Sequence, residues 1–414
     1  MHRKFAYVLF AALIAALGGF LFGYHTSVIS GALLFIAPEF QLTTFEQEIV
    51  VSTILIGALF GSLFGGALAD RIGRKKTLFV TLGLFLLGTL ILMDSRGLET
   101  LLCGRFIAGL GLGLASVAVP LYIAEISPDA ERGKLVSLNQ LMITIGILVA
   151  YIVAHRFAAI QEWRQMFAFS LIPLVVQGVG LFFIPETPAW LDRSKQSKQT
   201  RASHWKELFK PNIRRAFLVG VGLSVVQQVT GINTVIYYAP KIFGLAGYSS
   251  ASSATFATLL VGIVNTGMTV VALWLIDRLG RRPLLVGGLI GMAAALGILG
   301  MSFLHGDPGR IAMFGVMAYV AFFAVSLGPV AWLIISEIYP LSVRGQAMGA
   351  SVFANWICNY LVSLTFLSLV QGLGISATFW MYAIICLGAL VFVWKKVPET
   401  KGKTFEQIQK FWHK

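Results

Sequence analysis

Twelve long apolar segments run through this sequence, and they constrain the fold more than any other feature. Each is long enough for a helix to cross the hydrocarbon core of a bilayer, which takes about 20 apolar residues. Backbone polar groups must be hydrogen-bonded within hydrocarbon, so we expect each segment to form a helix. The sequence therefore predicts an all-α membrane protein with twelve transmembrane helices, at about residues 6–35, 47–69, 76–95, 100–125, 135–155, 165–184, 214–244, 252–276, 283–304, 312–337, 345–370 and 376–396.

Only 12% of the residues are charged and 57% are hydrophobic, a composition typical of a multi-pass membrane protein. The formal net charge of +14 first suggests a nucleic-acid partner, but the distribution of the cations favours membrane topology instead. With the N-terminus in the cytoplasm, most Lys and Arg residues fall in inner loops. The exceptions are Arg96, Arg156, Arg164, Lys241 and Arg310 in outer loops and Arg105 within a helix. We therefore expect a lipid bilayer and no nucleic acid as partner, with both termini on the cytoplasmic side of the cytoplasmic (inner) membrane.

Three motifs occur twice, in the same order and about 210 residues apart. The first copies are Asp70-Arg71-Ile72-Gly73-Arg74, Glu125 with Arg132, and Pro185-Glu186-Thr187. The second copies are Asp277-Arg278-Leu279-Gly280-Arg281, Glu337 with Arg344, and Pro398-Glu399-Thr400. A repeat of this length predicts two pseudo-symmetric halves of six helices each. The expected divisions are an N-terminal half at 1–185, a cytoplasmic linker at 186–212 with short surface helices, a C-terminal half at 213–396 and a tail at 397–414.

The repeated charges lie together at the inner ends of the predicted helices. We expect the acids and bases to form an ion-pair lattice that holds the two halves together in one conformation and separates in another. The alternative is that these charges only fix the topology of the chain. The predicted gating residues are Asp70, Arg71, Arg74, Glu125, Arg132, Asp277, Arg278, Arg281, Glu337 and Arg344.

The segment at 221–240 is apolar, yet it contains the three amides Gln227, Gln228 and Asn233. Polar side chains are costly inside a membrane and usually face a cavity or a partner. Gln228 and Asn233 would point about 140° apart on an ideal helix, so both can face one cavity only if the helix unwinds between them. Gly231 lies at that point and tolerates the backbone angles needed. We expect a broken helix that binds a polar ligand, with amides that only join neighbouring helices as the alternative.

Few other polar residues lie within the predicted helices. Amides that both donate and accept hydrogen bonds, beside a flat aromatic wall, suit a ligand rich in hydroxyl groups. We find no carboxylate in the middle of a predicted helix, so an uncharged polyol fits better than an ion. Export of hydrophobic drugs is a further alternative, but it would need an apolar cavity, which these amides disfavour. The residues are the amides Gln140, Asn265, Asn355 and Asn359 and the tryptophans Trp332 and Trp356.

The sequence contains no pattern typical of an enzyme. It has no nucleophile paired with a base, no Gly-rich phosphate loop and no His/Cys cluster with metal-ligand spacing. Gly109, Gly111 and Gly113 lie inside a predicted helix, where small residues allow close helix packing. The three cysteines suggest no disulfide framework. We therefore expect no catalytic activity, no cofactor and no bound metal.

Several motifs together resemble the sugar porter family of the major facilitator superfamily, over nearly the whole chain. They are Gly23-Tyr-His-Thr26, Gly104-Arg105-Phe106, Pro185-Glu-Thr-Pro188, Gln227-Gln-Val-Thr-Gly-Ile-Asn233, Asn265 and Pro398-Glu-Thr-Lys-Gly402. The chain is similar to the bacterial sugar–proton symporters and the animal facilitative glucose transporters. The resemblance implies the major facilitator fold and transport of a monosaccharide of the D-glucose or D-xylose type by alternating access. It also implies that the sugar is bound by Gln140, Gln227, Gln228, Asn233, Asn265, Trp332 and Asn355, with Tyr237 and Trp356 nearby.

Three positions depart from the family pattern. Ala189 replaces a basic residue, and Ala324 stands where the animal glucose transporters have a glutamate. His25 stands where the proton symporters have an aspartate that can pair with the arginine matching Arg105. A protonated histidine beside Arg105 would place two cations together, which is unfavourable. We therefore expect His25 to be neutral at pH 7, hydrogen-bonded and without a salt bridge.

A neutral His25 cannot alternate between ion pairs, so we expect facilitated uniport. Separately, we expect the protein to function as a monomer. Sugar–proton symport is the alternative, in which His25 exchanges protons near neutral pH. An alternative from another class is a sugar sensor that does not transport. Sensors usually need an output domain, and the tail after Val397 is short.

Overall fold

The computed structural model describes residues 2–128, 131–195, 204–306, 308–340, 343–403, 407–408 and 411. Within these ranges the regular structure is helical and contains no β-strand. Among the described residues, twelve helical spans are long and apolar enough to cross a membrane, which is the number predicted from the sequence. The chain is therefore an all-α, multi-pass membrane protein.

The chain divides into two compact units, residues 1–200 together with 251–262, and residues 201–250 together with 263–414. In the described part of the chain, eight helices precede residue 200. They are α1 (His2–Glu39), α2 (Thr44–Ile72), α3 (Arg74–Met93), α4 (Leu98–Ile126), α5 (Arg132–Ala158), α6 (Trp163–Ala168), α7 (Leu171–Phe183) and α8 (Pro188–Lys195).

Within the ranges that the structure describes, eight further helices follow a short 3-10 helix at His204–Phe209. They are α9 (Pro211–Val229), α10 (Ile232–Leu245), α11 (Ala251–Leu279), α12 (Arg281–Leu304), α13 (Gly309–Val325), α14 (Leu327–Ile338), α15 (Arg344–Leu373) and α16 (Ile375–Lys396). The 3-10 helix and α8 both lie in the predicted linker, where short helices were expected.

Two membrane spans that the sequence suggested were continuous helices are interrupted. The sixth span consists of α6 and α7, separated at Phe169 and Ser170, and the tenth consists of α13 and α14, separated at Ser326. Ser326 has φ −124° and ψ −95°, outside the helical region. In each span a proline, Pro173 or Pro329, lies in the first turn of the second helix. Proline fits a first turn because its missing N–H would have no partner there. In a continuous helix the same proline would lose the hydrogen bond to the carbonyl four residues earlier, that of Phe169 or Val325, and its ring would clash with that carbonyl.

Helices α2 and α4 pack closely through glycines. A Cβ atom added to Gly57 would lie 2.8 Å from the Cα of Gly109. One added to Gly113 would lie 2.6 Å from the backbone N of Ser62. Larger residues would therefore push the two helices apart, which confirms that the glycines of α4 serve close packing.

Candidate functional site

The seventh span is broken at Gly231, as the sequence predicted. α9 ends at Val229, and Gly231 has φ +91° and ψ 13°, in the left-handed region that favours glycine. A Cβ atom there would also lie 2.8 Å from the ring of Tyr382. The hydroxyl of Tyr319 donates to the carbonyl of Thr230 at 2.8 Å, which satisfies a backbone acceptor near the break. Conformation and packing together fix the break.

Four amide side chains around the break, Asn233, Gln228, Asn355 and Gln227, form one hydrogen-bonded series, which we name the amide network. Asn233 Nδ2 donates to Gln228 Oε1 at 2.7 Å, and Gln228 Nε2 donates to Asn355 Oδ1 at 3.1 Å. Asn355 Nδ2 then donates to Gln227 Oε1 at 2.8 Å. Gln228 and Asn233 thus meet across the break, which an unbroken helix would not allow.

One end of the amide network is bonded to the backbone. Gln227 Nε2 donates to the carbonyls of Leu327 and Gly328 at 2.9 and 3.2 Å. Asn355 Nδ2 also donates to the carbonyl of Ser224 at 3.1 Å. These bonds fix the orientations of Gln227 and Asn355, so the polar groups at the other end are positioned before any ligand binds.

The other end of the network retains hydrogen-bonding capacity. Asn233 is partly exposed, and its Oδ1 accepts no hydrogen bond from the residues that the structure describes. Each primary amide has two N–H donors, and Gln228 Nε2 uses one of them on Asn355. A ligand hydroxyl can therefore donate to Asn233 Oδ1 and accept from Gln228 Nε2.

A second polar group continues one turn further along α10 and α15. Asn359 Nδ2 donates to the hydroxyl of Tyr237 at 3.3 Å, and Ser363 Oγ donates to Asn359 Oδ1 at 3.2 Å. Trp356 on α15 is buried, with 5% of its surface exposed. Asn359 was recognised in the sequence as a polar residue within a span, but it was not among the predicted binding residues.

Three of the predicted binding residues are not hydrogen-bonded to this network. Asn265 on α11 is buried and Trp332 on α14 is partly exposed, and neither side chain bonds to an amide of the network in the described ranges. Gln140 lies on α5 of the first unit and is partly exposed. Their participation in binding stays a prediction.

Sequence reasoning missed several groups that hold the network in place. Pro329 was the available signal for the second helix break, since a proline within a helix removes the hydrogen bond to the carbonyl four residues earlier, here that of Val325. Tyr319 and Tyr382 contact the break from helices distant in sequence, so no local pattern could identify them. The missed groups are Ser224, Tyr319, Tyr382 and the carbonyls of Leu327 and Gly328.

Arg105 on α4 lies in the first unit and is fully buried. Its guanidinium donates to the backbone carbonyls of His25, Val50 and Val51 at 3.0, 3.1 and 2.9 Å. The predicted pair of residues 25 and 105 therefore meets through a bond to the backbone of His25. Three carbonyl oxygens share the positive charge, which makes its burial tolerable.

The side chain of His25 is fully buried, and its ring stacks on Phe85 with centroids 5.0 Å and planes 11° apart. We expected hydrogen-bonded ring nitrogens, and that expectation is wrong, because neither Nδ1 nor Nε2 has a partner among the described residues. The stacking explains the difference, since the ring is held by an aromatic face. No carboxylate forms an ion pair with His25 in this part of the chain.

Glu48, near the start of α2, is a fully buried carboxylate. It stands shortly before Val50 and Val51, whose carbonyls accept from Arg105. Residue 48 lies at the edge of the second predicted span, and Glu48 was not among the predicted site residues. Glu48 therefore joins His25 and Arg105 as a fully buried side chain of an ionisable residue in the first unit.

The repeated charged motifs form ion pairs within each unit. In the first unit, Arg74 lies 2.9 Å from Glu125 and 3.1 Å from Asp70. In the second unit, Arg281 lies 3.1 Å from Glu337. The predicted pairing of acids with bases is therefore present inside each unit, and its role as a gate stays a prediction.

The other predicted gating residues make different contacts. Arg132 and Arg344 each donate to a backbone carbonyl, at 3.1 and 3.2 Å. Asp277 lies 3.9 Å from the arginine four residues later. Arg278 covers a tryptophan ring with 3.9 Å to the centroid, and Arg71 is exposed.

The chain matches known transporters along its length. The family model described as "Sugar (and other) transporter" matches residues 11–204 and 191–412. The galactose-proton symporter of Escherichia coli K12 is 40% identical, with 98% of this chain and 94% of the symporter covered. The glucose transporter GlcP of Staphylococcus epidermidis is 37% identical, with coverages of 96% and 95%. The D-xylose transporter of Levilactobacillus brevis is 36% identical, with coverages of 97% and 94%.

Solved structures match in the same way. The inward-open xylose transporter XylE from E. coli superposes with a TM-score of 0.85 at 34% identity, covering 98% of this chain and 100% of that chain. The same protein, described as a proton:xylose symporter of the major facilitator superfamily and bound to a bromodeoxyglucose, gives a TM-score of 0.81 over 99% of this chain and 100% of that chain. The broken helix, the membrane spans and these similarities agree, and the chain belongs to the sugar transporter family of the major facilitator superfamily.

Proposed function

We propose that this protein transports a monosaccharide, D-glucose or a closely related aldose, across the cytoplasmic membrane by alternating access. Family membership supports sugar as the substrate class, and the three relatives are named for galactose, glucose and xylose. The sugar crosses unchanged, so the protein acts as a carrier and not as an enzyme. It works as a monomer with both termini in the cytoplasm, an orientation that the cation distribution favours.

The observation that carries this proposal is the amide network at Gly231. It offers both donors and acceptors without a net charge, which suits the hydroxyl groups of an uncharged sugar. Gln228 and Asn233 lie on the two segments that flank the break, so one sugar that bonds to both would favour one relative orientation of α9 and α10. We assign sugar binding to Gln140, Gln227, Gln228, Asn233, Asn265, Trp332 and Asn355, with Tyr237 and Trp356 nearby.

We further propose that transport is uniport. Coupling needs a group whose protonation changes an ion pair between two states. His25 has no carboxylate partner in the described ranges, and the guanidinium of Arg105 is bonded to three backbone carbonyls. A proton arriving at residue 25 therefore finds no ion pair to break.

Sugar–proton symport is the second candidate. Two similar proteins are named as proton symporters, one for galactose and one for xylose. The buried carboxylate of Glu48 provides a group that could accept a proton in place of the missing aspartate.

Uptake of radiolabelled sugar into proteoliposomes, with and without an imposed pH gradient, tests both proposals together. Exchange of a labelled aldose without a pH gradient supports sugar transport. An unchanged final sugar level when inward-directed protons are supplied supports uniport. Accumulation above the external concentration that a protonophore abolishes would instead establish symport.

A further inference from the structure

A cavity of about 580 Å³ lies in the second unit, where the repeated charged motifs meet. Its lining includes Arg281, Glu337, Arg344, Thr400 and Lys403. Three of these side chains are cations and one is a carboxylate, so the lining is cationic. None of them belongs to the amide network, which makes this a separate polar cavity.

The equivalent side chains of the first unit satisfy one another. Arg74 Nε donates to Glu125 Oε2 at 3.0 Å, and the hydroxyl of Thr187 donates to the same oxygen at 2.5 Å. Arg74 is 1% exposed. The repeated motifs can therefore form a closed network that needs no further partner.

In the second unit the three equivalent side-chain atoms make no hydrogen bond to the described residues. Arg281 Nε, Glu337 Oε2 and Thr400 Oγ1 are buried and have no hydrogen-bond partner among the described residues. Thr400 is 4% exposed and lines the cavity. Buried polar groups are almost always paired in native proteins, so these three atoms around one cavity point to a ligand.

The charges of the cavity define the chemistry of that ligand. Arg281 Nε is a donor that needs an acceptor, and Arg344 contacts only the carbonyl of Tyr339, with no carboxylate partner in the described part of the chain. Together with Lys403 these groups favour phosphate, which offers several acceptor oxygens and a negative charge. Glu337 Oε2 needs a donor, which a hydroxyl group can supply.

We propose that this cavity binds a phosphate ester that carries a free hydroxyl group. The phosphate accepts from Arg281, Arg344, Lys403 and Thr400, and the hydroxyl donates to Glu337. A soluble polyol or sugar phosphate has this chemistry, and so does the headgroup of phosphatidylglycerol. The site is distinct from the proposed sugar site, and binding to it is measurable without a transport assay.

The direct test is calorimetry of sn-glycerol 3-phosphate with the full-length protein in detergent. We expect glycerol 3-phosphate to bind saturably. Methyl phosphate lacks the hydroxyl group and should bind about tenfold more weakly. Arg344→Gln and Thr400→Val should each lower the affinity by about tenfold or more. Lys396→Gln removes an exposed cation outside the cavity and should leave the affinity unchanged.

A comparison of lipids separates the two sources of the phosphate. In nanodiscs of phosphatidylcholine, glycerol 3-phosphate should bind as in detergent. Loss of that binding in phosphatidylglycerol nanodiscs would assign the cavity to the lipid headgroup, and equal binding would assign it to a soluble ester. The proposal would be overturned if neither ester bound in detergent and phosphatidylglycerol did not reduce the binding of glycerol 3-phosphate in nanodiscs. Unchanged affinity in Arg344→Gln, whose side chain is partly exposed and whose folding is checked by thermal unfolding, would also overturn it.

Discussion

Asn233 donates a hydrogen bond to Gln228 across the break at Gly231, with 2.7 Å between Nδ2 and Oε1. On an unbroken helix these two residues would point about 140° apart. The positive φ of Gly231 brings them together. The conformation of one glycine therefore determines whether two amides can contact the same ligand.

Replacing Gln228 with alanine removes the central member of the amide network. We expect sugar affinity to fall by about ten- to a hundredfold, since the loss of a buried hydrogen-bond partner costs about 1–3 kcal/mol. Calorimetry with D-glucose, D-galactose and D-xylose measures the loss. Gln371→Ala, at an exposed position of α15, is the matched control. Wild-type affinity in a folded Gln228→Ala protein would remove this residue from the site.

Gly231→Ala tests the break itself. The left-handed conformation costs an alanine about 1–2 kcal/mol, and its Cβ would lie 2.8 Å from the ring of Tyr382. We expect a lower melting temperature in detergent and reduced sugar uptake. Gly244→Ala on α10 is the control, because a Cβ there meets no atom within 4 Å. Equal stability and uptake in the two variants would show that the break needs no glycine.

Substitution of His25 tests the proton coupling. We expect the wild type to move sugar only down the sugar gradient. Sugar uptake by His25→Asp should come to depend on an inward-directed proton gradient, because aspartate can pair with Arg105 and lose that pairing on protonation. Sugar accumulation in proteoliposomes measures this. Proton-driven accumulation by the wild type that disappears in Glu48→Gln would instead assign coupling to Glu48.

A charge reversal at Glu337 tests the predicted gate. Glu337 lies 3.1 Å from Arg281, so Glu337→Arg places like charges together. Ion pairs near the protein surface contribute about 0–1 kcal/mol, so the neutral Glu337→Gln should change the inward-open population by less than about fivefold. Glu337→Arg should raise the inward-open population by more than that. The measurement is the thiol-labelling rate of Gly133→Cys, an exposed position at the start of α5, in a background without native cysteines. If both variants label at the wild-type rate, these charges serve topology alone.

Glu399 should contribute a pH-dependent stability. Partial burial raises the pKa of this carboxyl group. Hydrogen bonds from backbone N–H donors, including those of Lys401, Arg281 and Arg282, lower the pKa by more than burial raises it, so the net pKa lies below its usual 4.5. A carboxylate with a lowered pKa stabilises the folded state above the unfolded pKa, and this stabilisation is lost as the pH falls through the folded value.

Thermal unfolding of the wild type and Glu399→Gln measures this effect. We expect the wild type to be the more stable at pH 7 and the difference to shrink below about pH 4.5. A constant difference between wild type and Glu399→Gln at all pH values would contradict the prediction.

The membrane spans and the break at Gly231 were predictable from local sequence. Hydropathy marks a helix because the bilayer requires about 20 apolar residues, and a glycine between two amides marks a break because few other residues adopt a positive φ. The breaks before Pro173 and Pro329 were missed, although each proline was a local signal. The pairing of repeated acids with repeated bases was also visible, since the motifs recur in order.

Tertiary structure alone decided how these residues meet. Gln228 bonds to Asn355 on a helix far along the chain, and no pattern in either segment encodes that distance. The same packing stacks His25 on Phe85 without a hydrogen bond and buries Glu48. Sequence determined which residues recur in the two charged networks. Only the tertiary structure decided which atoms of each network lie within hydrogen-bonding distance, because such bonds require a separation of about 3 Å.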